Sequence, residues 1–185
     1  MKKIILGLVV ALAFIGCNSK SDENVNVEPK LVVGESVKDI ELKDQFEKAH
    51  KIEDKTYKII FAFSKDAAHT CNDYFNTQEP DYLDKHNTQF IADVSAAPSL
   101  IRSMFILPGL KDFKHVVLLL DDENQAAPYR KGVDTEKIVV AYILNGKITE
   151  VKEVENSTEA LKKTIEDDSA MSVIAPVVNE VMGKL

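Results

Sequence analysis

Tyr57-Lys58-Ile59-Ile60-Phe61-Ala62-Phe63-Ser64-Lys65-Asp66-Ala67-Ala68-His69-Thr70-Cys71 is the stretch on which the fold turns. Its first seven residues form a nearly continuous β-branched and aromatic run, the pattern of a strand buried on both faces. Ser64-Lys65-Asp66 breaks the run, and a helix is predicted to begin near Thr70 and extend through Tyr74 and Phe75. Residues 88–94 read as the next strand. Pro98 suits the first turn of a helix carrying Leu100, Ile101, Met104 and Phe105 on one broad face, ended or kinked at Pro108-Gly109. Residues 115–120 and 137–144 are two more buried strands, and Asn145-Gly146 signals a type I′ hairpin into residues 147–151. Asn156-Ser157-Thr158-Glu159 has the form of a helix start, with Leu161 and Ile165 on its buried side.

Upstream, Val37, Ile40 and Leu42, the turn residues Asp44-Gln45, and then Lys51-Ile52 suggest a short hairpin. Strands alternating with helices and closing on a hairpin and a helix argue an α/β fold, a central mixed β-sheet flanked by helices. Ile59, Phe61, Phe63, Ile91, Val94, Val117, Leu119, Val140 and Tyr142 are expected to line one sheet core.

The amino end carries a different signal. Met1-Lys2-Lys3 is a short positive segment, followed by an apolar run from Ile4 to Gly16 that is shorter than the roughly 20 residues of a comfortable membrane span. The run closes on Phe14-Ile15-Gly16-Cys17, which resembles the lipobox of bacterial lipoproteins, with Phe14 where leucine is usual. The resemblance implies a signal peptide over residues 1–16 and lipid attachment at Cys17, hence a protein anchored to the periplasmic face of a membrane in the bacterial cell envelope. Two or three acyl chains would anchor it stably, whereas one binds only marginally. Residues 17–33 are largely polar and read as a flexible tether, because so few apolar groups cannot offset the entropy of ordering.

Removal of residues 1–16 leaves 21 basic residues against 30 acidic ones, a net charge of −9. An acidic domain without a basic patch is no partner for nucleic acid. With Cys17 acylated, Cys71 is the one remaining thiol, so an internal disulfide is excluded even in a compartment that permits one.

Several segments of the domain resemble the thioredoxin-like superfamily, in the branch of peroxiredoxins and membrane-tethered thiol oxidoreductases. Gly34-Glu35-Ser36-Val37 and Asp39-Ile40-Glu41-Leu42-Lys43-Asp44 are similar to the branch's opening "G…P-D-F-x-L-x-D". Phe61 to Cys71 has the length of the peroxiredoxin segment "FFYPKDxTxxC". Leu118 to Asn124 with Tyr129-Arg130-Lys131-Gly132-Val133 looks like the family's "D-x-x-G-x…A-Y-G-V", and Ile143 to Ile148 like its "I-D-x-x-G-K-I". The resemblance covers roughly residues 34–166 and implies a thioredoxin-like fold with a redox ancestry.

The chain departs from the family where its chemistry sits. Ser64 stands in the place of a proline and Ala68 in that of the threonine whose hydroxyl orients peroxide. Ala68-His69-Thr70-Cys71 fills the "C-x-x-C" slot without its first cysteine. Ile138-Val139 replaces the proline beside that cysteine, and Lys137 stands near a peroxiredoxin arginine. Two readings of Cys71 remain open. As a thiol in a first helical turn it would feel the helix dipole and have a lowered pKa, with His69 and Lys65 near enough in sequence to assist. As a lone cysteine in a decayed site it would be a small buried hydrophobe. The function implied is a non-catalytic or weakly active binding module; the alternative is a single-cysteine peroxidase or disulfide oxidoreductase using Cys71 and an external thiol.

No cofactor motif is present. His50, His69, His86 and His115 lack metal-ligand spacing, and Asp121-Asp122-Glu123-Asn124 lacks the periodic acids and glycine of a calcium loop, reading instead as an acidic turn. In the tail, residues 167–185, Met171, Ile174, Val178, Val181 and Leu185 fall at helical spacing. That amphipathic helix either docks on its own domain or offers a surface for a protein partner or self-association.

Overall fold

The computed structural model describes residues 27–167. Cys17, the expected signal peptide and the amphipathic helix expected in the tail lie outside the described residues, apart from Asp167. One sheet of seven strands organises the chain: β1 (Glu41–Asp44), β2 (Ala49–Lys51), β3 (Lys58–Ala62), β4 (Thr88–Asp93), β5 (Leu118–Leu120), β6 (Ile138–Leu144) and β7 (Lys147–Val154). Their order across the sheet is β2-β1-β5-β4-β3-β6-β7. The central three, β3, β4 and β5, are parallel. All other pairings are antiparallel. The sheet is therefore mixed, with its parallel strands at the centre.

Helices cover both faces. On one side lie α1 (Lys65–Asn76), the short α2 (Tyr82–Lys85) and α6 (Thr158–Glu166), joined by a helical stretch made of α3 (Ser99–Ile101), a π-helical segment (Arg102–Ile106) and α4 (Leu107–Leu110). On the other lies α5 (Glu123–Arg130), with residues that lead into β1.

Nine residues are expected to share one core; the sheet divides them between two. Successive side chains of a strand point to opposite faces, and every residue of β3 is buried, so its run feeds both. Ile60, Ala62, Phe90, Val117, Leu119, Val140 and Tyr142 pack with α1 and α6. Ile59, Phe61, Phe63, Ile91 and Val139 pack with Val37, Leu42 and Tyr129 on the reverse side.

Other differences have equally local causes. Helix α1 begins at Lys65, not near Thr70, because Ser64 is an N-cap whose Oγ accepts the Ala67 N–H at 3.2 Å. The acidic turn after β5 is itself a cap, since the Asp122 carboxylate accepts from the Gln125 N–H at 3.1 Å and opens α5. Strand β5 is shorter than expected, because Gln45 bonds the His115 carbonyl and the Val117 N–H in place of a neighbouring strand. Pro108 does not end the helical stretch. It stands in the first turn of α4, where a missing N–H is harmless, while the Leu107 N–H reaches back five residues to Arg102 in a π turn. Asn145 and Gly146 have φ of 54° and 74°, as a type I′ turn requires. Ser157 caps α6, whose Leu161 and Ile165 are fully buried.

The packing of the domain also takes in residues before Gly34. Leu31 is buried against the second core, and the Lys30 N–H donates to the Pro128 carbonyl at 2.9 Å, so the end of the expected tether is docked.

Candidate functional site

In an open α/β sheet, the end marked by the C-termini of the parallel strands is where connecting loops leave room for ligands. Here that end is set by Ala62, Asp93 and Leu120, and Ile138 pairs with Ala62 at the entry of β6. The chain turns from β3 through Phe63 into the Ser64 cap and α1, which brings Ser64, Lys65 and Asp66 to this end.

Cys71 is not at that entrance. With α1 starting at Lys65, it lies in the second turn, beyond the part of the helix where the dipole and free N–H groups act strongly. It faces the sheet together with Ala67, Tyr74 and Phe75 and is 0% exposed. Burial pushes its thiol pKa upward, against the lowering expected for a first-turn cysteine. His69 and Lys65 are exposed. At about 100° per residue they point roughly 160° and 120° away from Cys71 around the helix, so neither is aimed at its sulfur. The sequence predicts these three as a group; the helix separates them. Lys137 forms an ion pair with Glu155 at 3.3 Å on the β7 side of β6.

The polar groups that do converge were not singled out in the sequence. At the C-terminal end of β4, the Asp93 side chain is 1% exposed and accepts from Arg130 Nη1 at 2.8 Å. Ser95 donates its Oγ proton within the same group, 2.7 Å from Asp93 Oδ1 and 3.1 Å from Glu123 Oε2, and Glu123 also pairs with Arg130. From the other face, Arg102 Nη1 donates to the carbonyls of Val94, Ser95 and Ala97. Two guanidinium groups thus clamp the loop after β4 at the end of the sheet. An aspartate closing a buried strand was the available sequence signal, because such a charge needs a cation.

A second polar set is internal. His115 Nε2 lies 2.9 Å from Asn72 Oδ1, with Phe75, Phe90 and Phe113 around the ring. Burial lowers its pKa to about 4, so the ring is neutral. His50 pairs with Asp44 at 2.7 Å and ties the β1–β2 turn. A cavity of about 160 Å³ lined by His50, Thr56, Gln89, Phe90 and His115 opens beside the N-terminal ends of β3 and β4, opposite the α1 entrance. Among the described residues, no three His, Cys, Asp or Glu side chains gather as a metal site, and no helix is long and apolar enough to cross a membrane.

The parallel unit β3-α1-β4 and the antiparallel unit β6-β7-α6, joined in one sheet through β3 and β6, make this a thioredoxin-like α/β fold. Solved structures similar to the chain include peroxidoxin BcpB from Mycobacterium tuberculosis, with 14% identity, TM-score 0.48, and coverage of 72% of this chain and 93% of that one. A putative thiol:disulfide interchange protein DsbE from Chlorobium tepidum has 20% identity and TM-score 0.48 over 72% of this chain and 95% of its own. A putative thioredoxin from Neisseria meningitidis has 15% identity and TM-score 0.48 over 75% and 89%. No family model matches the chain, and no curated protein does.

Proposed function

We propose that this chain is a lipid-anchored thioredoxin-like module of the bacterial cell envelope, held at the periplasmic face of a membrane through Cys17, and that it works by binding and not by thiol chemistry. The observation that carries the second half is the burial of Cys71. A thiol must ionise and meet its target to react, and this one is enclosed by Ala67, Phe75 and the sheet, with its pKa raised. Dithiol exchange would also require a second cysteine to resolve the mixed disulfide, and acylation of Cys17 would leave none.

The test is the rate at which Cys71 of the folded, full-length protein reacts with an aromatic disulfide and with hydrogen peroxide at neutral pH. If the thiol is reached only through opening of the domain, an opening free energy of about 5 kcal/mol slows labelling by roughly three to four decades relative to the unfolded chain. A folded-state rate above that of a free thiol would replace this reading with the single-cysteine peroxidase or oxidoreductase. Mass spectrometry of the membrane-extracted protein checks the anchor: the expected amino terminus is an acylated Cys17.

A further inference from the structure

The broad apolar face expected on the helical stretch points outward. Leu100 is 64% exposed, Ile101 42%, Met104 58% and Phe105 66%, whereas Ile106, Leu107 and Leu110 reach the core behind them. The π turn over Arg102–Ile106 shifts the helical register between Leu100 and Leu107, so one apolar set faces in and another faces out. Four large apolar side chains within six residues are more than scattered surface exposure.

The chain's own path indicates what covers them. Arg102 holds this stretch against the carbonyls of Val94, Ser95 and Ala97, at the C-terminal end of β4. The amino-terminal segment leaves the domain at that same end: Val27, Glu28 and Pro29 share a groove with Glu123 and Asn124. Glu123 is bonded to Ser95. Ten residues separate Val27 from Cys17, and a chain of that length reaches at most about 36 Å even fully extended. An anchor at Cys17 would therefore bring this end of the sheet to the bilayer. The tail beyond Asp167 starts at the opposite end, where the Asp167 carbonyl accepts from Lys58 at the beginning of β3.

Resting on the anchoring proposed above, we infer that Leu100, Ile101, Met104 and Phe105 form a membrane-contacting face that enters the lipid surface and sets the orientation of the tethered domain. Asp121 and Asp122 are exposed at this end of the sheet, so burial of apolar area drives the contact, not attraction to anionic headgroups.

The chain contains no tryptophan, which permits a single-fluorophore test. Phe105→Trp and, as a control, Phe46→Trp are made in the full-length lipoprotein and reconstituted into phosphatidylcholine vesicles with brominated acyl chains. Phe46 is 58% exposed and follows Asp44, which pairs with Leu118 at the far end of β5. The expected result is that bromolipid lowers emission about two-fold or more for Phe105→Trp and leaves Phe46→Trp unchanged, with little effect of added salt. Equal, weak quenching of both in protein that co-floats with vesicles would overturn the membrane face while leaving the anchor intact. Failure to co-float, with an unmodified Cys17, would remove the anchoring reading and this inference with it. Protection of Phe105→Trp from aqueous iodide in the absence of lipid would show that the tail or a second copy covers the face, and would also overturn it.

Discussion

Cys71→Ser replaces one buried sulfur with a hydroxyl in the core between α1 and the sheet. Two costs follow. Losing the larger, apolar sulfur removes contacts worth about 1 kcal/mol, since the surrounding Ala67 and Phe75 close only part of the gap. Stripping a hydroxyl of water costs about 1–3 kcal/mol more if it finds no partner. A serine at this helical position can bond the carbonyl four residues back, at Ala67, and recover about 1 kcal/mol. The net expectation is a loss of about 2 kcal/mol for serine against about 1 kcal/mol for Cys71→Ala. In a domain of this size, 1 kcal/mol shifts the midpoint by about 2–4 °C, so serine should lower Tm by roughly 6 °C and alanine by roughly 3 °C. Urea unfolding of the full-length variants gives the free energies directly, provided the slope is unchanged. A serine variant as stable as the parent, or alanine costing more than serine, would refute the packing of Cys71 argued here.

Three further outcomes are expected. Arg130→Met strands the nearly inaccessible Asp93 carboxylate and should cost about 3 kcal/mol in urea unfolding, while Asp93→Asn, which keeps several hydrogen bonds, should cost less. Equal, negligible costs would show the clamp to be ornamental. His115 has a folded pKa of about 4 against 6.5 for a free histidine, so between those values the unfolded chain binds a proton that the folded one refuses. Its contribution is therefore complete above about pH 6.5 and falls by up to about 3 kcal/mol as pH drops toward 4; His115→Gln should flatten that slope, and an unchanged slope would assign it elsewhere. Amide exchange should be slowest over residues 59–62 and 138–143, buried at the centre of the sheet, and faster across Arg102–Ile106, whose helical bonds lie near water. Fast exchange in β6 would contradict the sheet order.

The strands were legible because their signal is local and dense. Runs such as Ile59-Ile60-Phe61-Ala62 leave no polar side chain for water, so burial on both faces follows from composition alone. The Asn145-Gly146 turn and the Ser157 cap were equally readable, since each depends on the conformational preference or hydrogen-bonding reach of the residues at the turn. Helix α1 starts five residues before the expected Thr70 because Ser64 is a cap and not a break, and that shift moves Cys71 from the helix entrance into its second turn.

Sequence by itself thus determined the strand runs, the mixed α/β character and local devices such as the Asn145-Gly146 turn and the Ser157 cap, all of which rest on interactions between near neighbours in the chain. Tertiary structure alone decided which apolar residues share a core, because Phe61 and Ile60 are adjacent in sequence yet belong to opposite faces. It also decided that Asp93 meets Arg130 across 37 positions and that Leu100, Met104 and Phe105 remain outside. Those outcomes depend on where separate elements come to rest against one another. A helix's apolar stripe records that it seeks a nonpolar neighbour, but which surface provides one is set only when the chain has folded.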